Sequence, residues 1–135
     1  MSRGWAAASL ADIPRVAAAE PAWYPLQHVF GFTAFGANAF VAAAAGDVLV
    51  DEHDERTSGQ EELYLVVAGR ARFELDDESV DTAAVAVVAV QDPTVKRRAT
   101  ALVSGTVLVA LGAPPRGDFT STWRSEHFDG VSRVL

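Results

Sequence analysis

Residues 46–75 read GDVLVDEHDERTSGQEELYLVVAGRARFEL, and this stretch holds the clearest structural signal in the chain. Residues 62–68, ELYLVVA, are β-formers, and residues 70–75, RARFEL, alternate between charged and apolar side chains. A period of two is typical of a strand with one buried face, so Ala71, Phe73 and Leu75 are predicted to face the core. Gly69 alone separates the two runs, which predicts a tight turn between two strands.

The β signal continues on both sides of this stretch. Short runs of β-formers lie at residues 48–50, 79–82 and 83–90. Residues 100–112, TALVSGTVLVALG, predict a hairpin with Ser104-Gly105 at its tip. Strands and helices do not alternate along the chain, so the predicted fold class is all-β, an antiparallel sandwich or barrel.

The N-terminal part of the chain carries a different pattern. Residues 9–20, SLADIPRVAAAE, predict a short helix capped by Ser9 or Asp12, and the prolines that follow end it. Residues 28–40, HVFGFTAFGANAF, are apolar and predict an edge strand that a monomer would leave exposed. We therefore expect a homodimer that buries this segment.

Composition excludes several classes of function. The 135 residues are enough for one domain with a core of its own. The net charge of −7, from 11 basic and 18 acidic residues, argues against nucleic acid or an anionic membrane as a partner. The chain has no cysteine, which excludes disulfides and thiolate chemistry, and no apolar run is long enough to span a membrane. We expect a cytoplasmic protein.

The stretch 46–69 resembles the first motif of the cupin superfamily. In that motif a glycine precedes a His-x-His pair, and a glutamate then precedes a second glycine. Here Gly46 is followed by six residues and then by His53-Asp54-Glu55, and six residues separate Glu62 from Gly69. The second cupin motif would fall in AAVAVVAVQDPTVKRRAT, which lacks the family's histidine and has Lys96 or Arg97 near its place.

The resemblance implies a cupin-like double-stranded β-helix, an antiparallel barrel or jelly roll, with a short N-terminal helix. The domain plan that follows has an N-terminal segment at 1–34, with the helix and the edge strand. The barrel then covers 35–112, and a C-terminal tail at 113–135 packs on it. Small barrels of this kind hold a pocket lined by the inward-facing residues of their strands.

By the same resemblance, His53, Glu55 and Glu62 would be the ligands of a divalent metal such as Mn, Fe, Ni or Zn. Two other interpretations stay open. Lys96 or Arg97 could approach the pocket and pair with Glu62, giving a metal-free site. Alternatively, residues 51–61 could be only a solvated loop between strands.

The tyrosine next to this site and the three tryptophans of the chain each have a predicted role. Tyr64 lies on the same strand face as Glu62, because residues two apart on a strand point the same way. Its hydroxyl could contact a ligand, or the ring could be a core aromatic whose hydroxyl has a protein partner. Trp5, Trp23 and Trp123 are expected to cover the barrel or an interface rather than to line a site.

Two functions from different classes follow. The first is a small cupin-like protein whose interior pocket binds a small molecule without catalysis, with Tyr64, Arg97 and Lys96 as pocket residues. The second is a metal-dependent enzyme of the dioxygenase or isomerase type that uses His53, Glu55 and Glu62. No residue is assigned a catalytic role from the sequence, and the fold alone does not choose between the two functions.

Overall fold

A computed structural model describes residues 4–116 and 124–133 of the chain. Part of the predicted tail at 113–135 and Trp123 lie outside the described residues. The helical elements are a 3₁₀ turn at Leu10–Asp12, helix α1 at Leu26–Phe30 and a second 3₁₀ turn at Ser125–Phe128. The strands are β1 Ala22–Tyr24, β2 Gly36–Val41, β3 Val48–His53, β4 Glu61–Ala68, β5 Arg70–Leu75, β6 Glu78–Ala83, β7 Ala86–Val90, β8 Arg97–Ala101 and β9 Val107–Ala113.

The strands form two antiparallel sheets. The larger sheet has five strands in the order β1-β2-β9-β4-β7, and the smaller has four in the order β3-β8-β5-β6. Successive strands stay in one sheet only from β1 to β2 and from β5 to β6, and at every other step between described strands the chain changes sheet. This arrangement confirms the predicted all-β sandwich or jelly roll with a short N-terminal helix.

The core lies between the inner faces of the two sheets, where side chains from alternate positions meet. Tyr64, Val66 and Leu108 come from the larger sheet, and Ala71 and Phe73 come from the smaller one. The burial of Ala71 and Phe73 between exposed neighbours confirms the alternation that the sequence of β5 predicted.

The sequence predicted that the strands on either side of Ser104-Gly105 pair as a hairpin, and this prediction is wrong. A turn does lie there, but β8 belongs to the smaller sheet and β9 to the larger, so the two strands do not pair with each other. Gly-rich turns look alike in sequence whether they close a hairpin or carry the chain across a sandwich. Only the partner strands, β5 for β8 and β4 for β9, distinguish the two cases.

The N-terminal predictions also need correction. Only Leu10–Asp12 is helical within the predicted helix at 9–20, and it is a single 3₁₀ turn. The α-helix lies later, at Leu26–Phe30, directly after Pro25, whose fixed φ is compatible with a helix start. The predicted edge strand at 28–40 therefore contains the end of a helix, and its strand portion, β2, is paired on both sides by β1 and β9.

Among the residues that the structure describes, no helix is long and apolar enough to cross a membrane.

Candidate ligand-binding site

A cavity of about 440 Å³ opens between the two sheets beside the ends of β3 and β4. Its apolar lining includes Trp23, Phe40 and Leu49, and its polar lining comes from β2, β3, β4 and the segment between β3 and β4. The polar residues are Asn38, Asp51, His53, Glu55, Gln60, Glu62 and Tyr64. The cavity therefore combines an aromatic wall with a cluster of hydrogen-bonding and charged groups.

His53 and Glu62 face this cavity from opposite sheets. His53 is the last residue of β3 in the smaller sheet, and Glu62 is the second residue of β4 in the larger sheet. The short loop between these strands predicts that they pair antiparallel and so bring both residues to one pocket. The residues do meet, but the strands do not pair. The two strands lie face to face across the sandwich, and the His53 Nε2 and Glu62 Oε1 atoms are 3.6 Å apart.

Arg97 supplies the cation next to Glu62. Its Nη1 donates to Glu62 Oε1 at 2.6 Å, and its side chain has no exposed surface. The other guanidinium nitrogens donate to backbone carbonyls, Nε to Val95 at 3.0 Å and Nη2 to Asp92 at 3.2 Å. The guanidinium is thus held in one orientation, and its charge is balanced within the protein by Glu62.

Lys96 does not share this role. The sequence left open which of Lys96 and Arg97 approaches the pocket, and the structure places only Arg97 against Glu62. Lys96 is exposed, and its backbone N–H donates to Asp76 Oδ1 at 2.9 Å, at the turn after β5. Neighbouring residues in extended chain point to opposite sides, so Lys96 faces solvent when Arg97 faces the core.

Tyr64 is a core aromatic whose hydroxyl also reaches the site. The ring is 1% exposed and packs against Phe73 with ring centroids 5.7 Å apart. The hydroxyl donates to Glu62 Oε1 at 2.7 Å, so one carboxylate oxygen accepts from both Tyr64 and Arg97. Burial, with a further contribution from the hydrogen bond to Glu62, raises the pKa of Tyr64 well above its ordinary value.

His53 has one ring nitrogen fixed by the backbone and the other directed at carboxylates. Its Nδ1 lies 2.7 Å from the Asp51 carbonyl, which can only accept, so Nδ1 carries a proton. Its Nε2 lies 3.0 Å from Glu55 Oε1. In a neutral ring Nε2 is then an acceptor, and it lies beside a carboxylate oxygen that is also an acceptor. A hydrogen-bond donor or a cation placed between the two atoms would satisfy both.

Glu55 is held in place by its own loop. Its N–H donates to the Pro93 carbonyl at 2.8 Å, which ties the loop after β3 to the turn between β7 and β8. Ser58 Oγ donates to Glu55 Oε2 at 2.5 Å, leaving Oε1 to face His53. These contacts orient the carboxylate, although residues 51–61 look like an ordinary polar loop in the sequence.

The three predicted ligand residues converge. Potential ligand atoms of His53, Glu55 and Glu62 all lie within 4.8 Å of one another. Within the described chain no group hydrogen-bonds to Glu62 Oε2, so this oxygen has free lone pairs. One imidazole nitrogen and two carboxylates suit Mn, Fe, Ni or Zn, and an Nδ1–H bonded to a carbonyl is the usual support of a metal-binding histidine. The donor set fits a divalent ion, while Arg97 beside Glu62 opposes one electrostatically.

Several lining residues were missed by the sequence reasoning. Trp23 was expected to cover the barrel, but it lines the cavity, stacked with Phe40 at 6.3 Å between ring centroids. Its Nε1 donates to Asn38 Oδ1 at 2.8 Å, which fixes the indole at the cavity. Trp23 belongs to a three-residue strand that carries almost no periodic signal, so its direction was visible only once β1 was paired with β2.

Gly112 makes room for Glu62. The two residues are opposite each other in β9 and β4. A Cβ at position 112 would lie 2.8 Å from Gln60 Oε1 and 3.2 Å from Glu62 Cγ. The absence of a side chain at Gly112 therefore allows both Gln60 and Glu62 to occupy their places beside the cavity.

Neither a protein-family model nor a curated protein matches the sequence. Solved structures do match the fold. A cupin protein from Bacteroides fragilis has 18% identity and a TM-score of 0.65, over 91% of this chain and 98% of that chain. KdgF from a Halomonas species has 17% identity and a TM-score of 0.63, over 80% of this chain and 94% of that one.

A third similar structure, described as a sugar phosphate isomerase of the cupin superfamily, comes from Silicibacter pomeroyi. It has 13% identity and a TM-score of 0.62, over 79% of this chain and 74% of that chain. At these identities the likenesses concern the fold alone, and they confirm the architecture that the sequence predicted.

Proposed function

We propose that this chain, which has the cupin fold, binds a small molecule in the cavity between its sheets without needing a metal ion. His53, Glu55 and Glu62 are the polar contacts, and Trp23 and Phe40 form the apolar wall. The observation that carries the proposal is the convergence of these groups on one cavity of about 440 Å³, a size within the range of small-molecule sites.

The buried Arg97 supports a metal-free site. A carboxylate with little exposure needs a cation or several donors nearby, and Glu62 has Arg97 at 2.6 Å and Tyr64 at 2.7 Å on a single oxygen. This leaves Glu62 Oε2, the Glu55 carboxylate and the His53 ring edge for hydrogen bonds to a ligand. Arg97 and Tyr64 are then positioning residues, because both act through Glu62.

A fragment screen by NMR tests the proposal. Neutral, cationic and anionic compounds are added to the ¹⁵N-labelled protein in the presence of a chelator. Binding compounds should shift the amides of residues 38–40, 49–53 and 62–64 around the cavity. His53→Ala should weaken these shifts, whereas His28→Ala, a histidine outside the cavity lining, should leave them unchanged. A screen in which no compound shifts the cavity amides would contradict the proposal.

A second candidate function is a metal-dependent enzyme of the dioxygenase or isomerase type. The specific observation that favours it is the set of three ligand atoms within 4.8 Å, together with the bond from His53 Nδ1 to the Asp51 carbonyl. Bound there, a divalent ion would polarise an oxygen of the substrate as a Lewis acid. His53 and Glu55 would hold the ion, and Arg97 would hold Glu62 in place.

Titration with Mn²⁺ distinguishes this candidate. If the metal site forms, Mn²⁺ should broaden the NMR signals of residues near His53 at equimolar concentration. Glu62→Gln should weaken the effect, and His53→Ala should weaken it more than any change at His28 or His127. Broadening that needs a large excess of Mn²⁺, or that is unaffected by these substitutions, would exclude the metal-dependent function.

The remaining expectations about partners and location stay predictions. We expect a homodimer that forms through the outer face of the larger sheet. A cytoplasmic location is proposed on composition alone and would be tested by fractionation of cells that express the protein.

A further inference from the structure

The charges around the cavity are unbalanced. Three acidic residues are among the lining residues, Asp51, Glu55 and Glu62, and no lysine or arginine is among the described lining residues. The cation behind the lining is Arg97, which is fully buried. The acidic residues therefore outnumber this one buried cation.

Arg97 cannot serve as an anion-binding group for a ligand. Its three guanidinium nitrogens are directed at Glu62 Oε1 and at the carbonyls of Val95 and Asp92. To reach an anionic ligand it would have to break contacts that keep a buried charge satisfied. An incoming carboxylate or phosphate would therefore meet Asp51, Glu55 and Glu62 with no free cation to receive it.

The aromatic part of the lining favours a positive group as well. Trp23 and Phe40 line the cavity and stack on each other, and aromatic rings attract cations, tryptophan most strongly. The acidic residues and the aromatic residues of the lining thus both favour a positively charged ligand.

We infer that the ligand of this cavity is a small organic cation, a protonated amine carried on a compact apolar body. The ammonium group binds beside Glu55 and the free Oε2 of Glu62, and the apolar body lies against Trp23 and Phe40. This inference rests on the proposed function and specifies its ligand class. It also separates the chain from the sugar phosphate isomerase named among similar structures, since a phosphate ester is an anion.

Three probes of nearly one shape test the sign of the charge. Benzylammonium, benzyl alcohol and benzoate are titrated into the protein with a chelator present, and binding is followed by the amide shifts of residues lining the cavity. Benzylammonium should bind at least about tenfold more tightly than benzyl alcohol, a difference of about 1.4 kcal/mol, and benzoate should bind least tightly. Added salt should weaken benzylammonium and leave benzyl alcohol nearly unchanged.

Glu55→Gln is the informative variant, because Glu55 is not paired with the buried Arg97 and its loss leaves the interior ion pair intact. It should reduce the preference for benzylammonium over benzyl alcohol severalfold. Glu61→Gln is the matched control, since Glu61 is exposed and precedes Glu62 on the same strand, facing away from the cavity. That variant should retain the full preference.

The outcomes separate the inference from the function on which it rests. If benzoate or benzyl alcohol shifts the cavity amides at concentrations as low as benzylammonium does, the cavity binds ligands but the charge preference is wrong. If the preference is present only when the chelator is omitted, a bound metal ion sets it, and the inference is also wrong. If none of the three probes shifts the cavity amides, both the inference and the proposed function are contradicted.

Discussion

Glu62 contacts three other groups of the site through one carboxylate oxygen. One of its oxygens accepts from Arg97 and Tyr64, and the same oxygen lies 3.6 Å from His53 Nε2. Its side chain is only 11% exposed, so these contacts are made largely out of water, where each is stronger than at the surface. A single substitution at this position should therefore affect both stability and ligand binding.

Glu62→Gln keeps the size of the side chain and removes its charge. Arg97 would then be buried without a carboxylate partner, and we expect a loss of about 1–3 kcal/mol in the free energy of unfolding, measured by urea denaturation at neutral pH. Glu61→Gln, on the outer face of the same strand, should change stability by less than about 0.5 kcal/mol. Equal effects of the two substitutions would show that the contact between Glu62 and Arg97 does not stabilise the fold.

Tyr64→Phe tests the hydroxyl that supports Glu62. At neutral pH the loss of this donor should cost about 0.5–1.5 kcal/mol of unfolding free energy. The pKa of Tyr64 is raised in the folded protein from an ordinary value of 10.0, so above that pH the unfolded chain loses this proton first. The unfolded state then binds fewer protons than the native state, and stability falls as the pH rises.

The pH dependence supplies the measurement for Tyr64. Unfolding free energies of the wild type and of Tyr64→Phe, compared between neutral pH and a pH above 10.0, should converge, because only the wild type carries the ionisation penalty of this phenol. A difference that stays constant across that range would mean that the Tyr64 phenol ionises equally readily in both states.

At the scale of elements, the changes of sheet determine where the site forms. Gly69 joins β4 in the larger sheet to β5 in the smaller, with φ at +76°. A Cβ built on it would lie 2.7 Å from the Cα of Thr106, a residue with no exposed surface. Gly69 thus needs both an unusual backbone conformation and the absence of a side chain. The positive φ agrees with the sequence-based expectation, although the turn joins two sheets rather than a hairpin.

Gly69→Val should cost more than about 1 kcal/mol of unfolding free energy, because a β-branched residue is strained at positive φ and would also clash with Thr106. Gly59→Val separates the two causes. Gly59 has φ at +71° and no atom within 4 Å of a built Cβ. Gly59→Val is therefore destabilised only by backbone strain and not by a clash. Thermal unfolding should rank Gly69→Val as the more destabilised of the two, and the reverse order would mean that the region around Thr106 relaxes without cost.

The sequence predicted the strands more successfully than their pairing. The alternation in β5 and the run in β4 identify strands because periodicity is a local property, visible in the residues themselves. Whether β8 returns beside β9 depends on packing between distant segments, which no turn residue encodes. The position of Trp23 beside the cavity was unpredictable for the same reason, because its three-residue strand is placed by pairing with β2.

The candidate site, too, was only partly predictable from the sequence. The spacing of His53, Glu55, Glu62 and Gly69 is visible along the chain, and the structure brings ligand atoms of the first three within 4.8 Å of one another. The choice of Arg97 over Lys96 was not readable, because it depends on where the strand after Asp92-Pro93 begins its alternation. The match of Gly112 to Glu62 was also hidden, since it exists only across the pair of strands β9 and β4.

For the molecule as a whole, the outer face of the larger sheet is apolar over β4, β7 and β9. Leu63 stands opposite Leu111 and Ala89, and Leu65 stands opposite Val109 and Val87. These residues point away from the core, because Tyr64 and Val66 between them point into it. Val87 is 58% exposed. A second copy of the chain would present the same mainly apolar face, which suits a two-fold contact in a protein of net charge −7.

We therefore expect a homodimer formed through this face rather than through the segment 28–40. Light scattering should give twice the monomer mass at micromolar concentration, and Val87→Glu should shift the protein toward monomer by placing a charge in the contact. Val80→Glu is the control, since Val80 is 41% exposed but lies on β6 of the other sheet. A monomeric wild type over a wide concentration range would contradict the prediction.

Arg97, and not a bound metal ion, is proposed to supply the positive charge beside Glu62. Elemental analysis decides between the two, on protein purified without added metal and without a metal-affinity tag. We expect a transition-metal content far below one equivalent per chain, in protein that binds its small-molecule probes in the presence of a chelator. About one equivalent of Mn, Fe, Ni or Zn in the wild type, lost in His53→Ala and in Glu62→Gln, would contradict it.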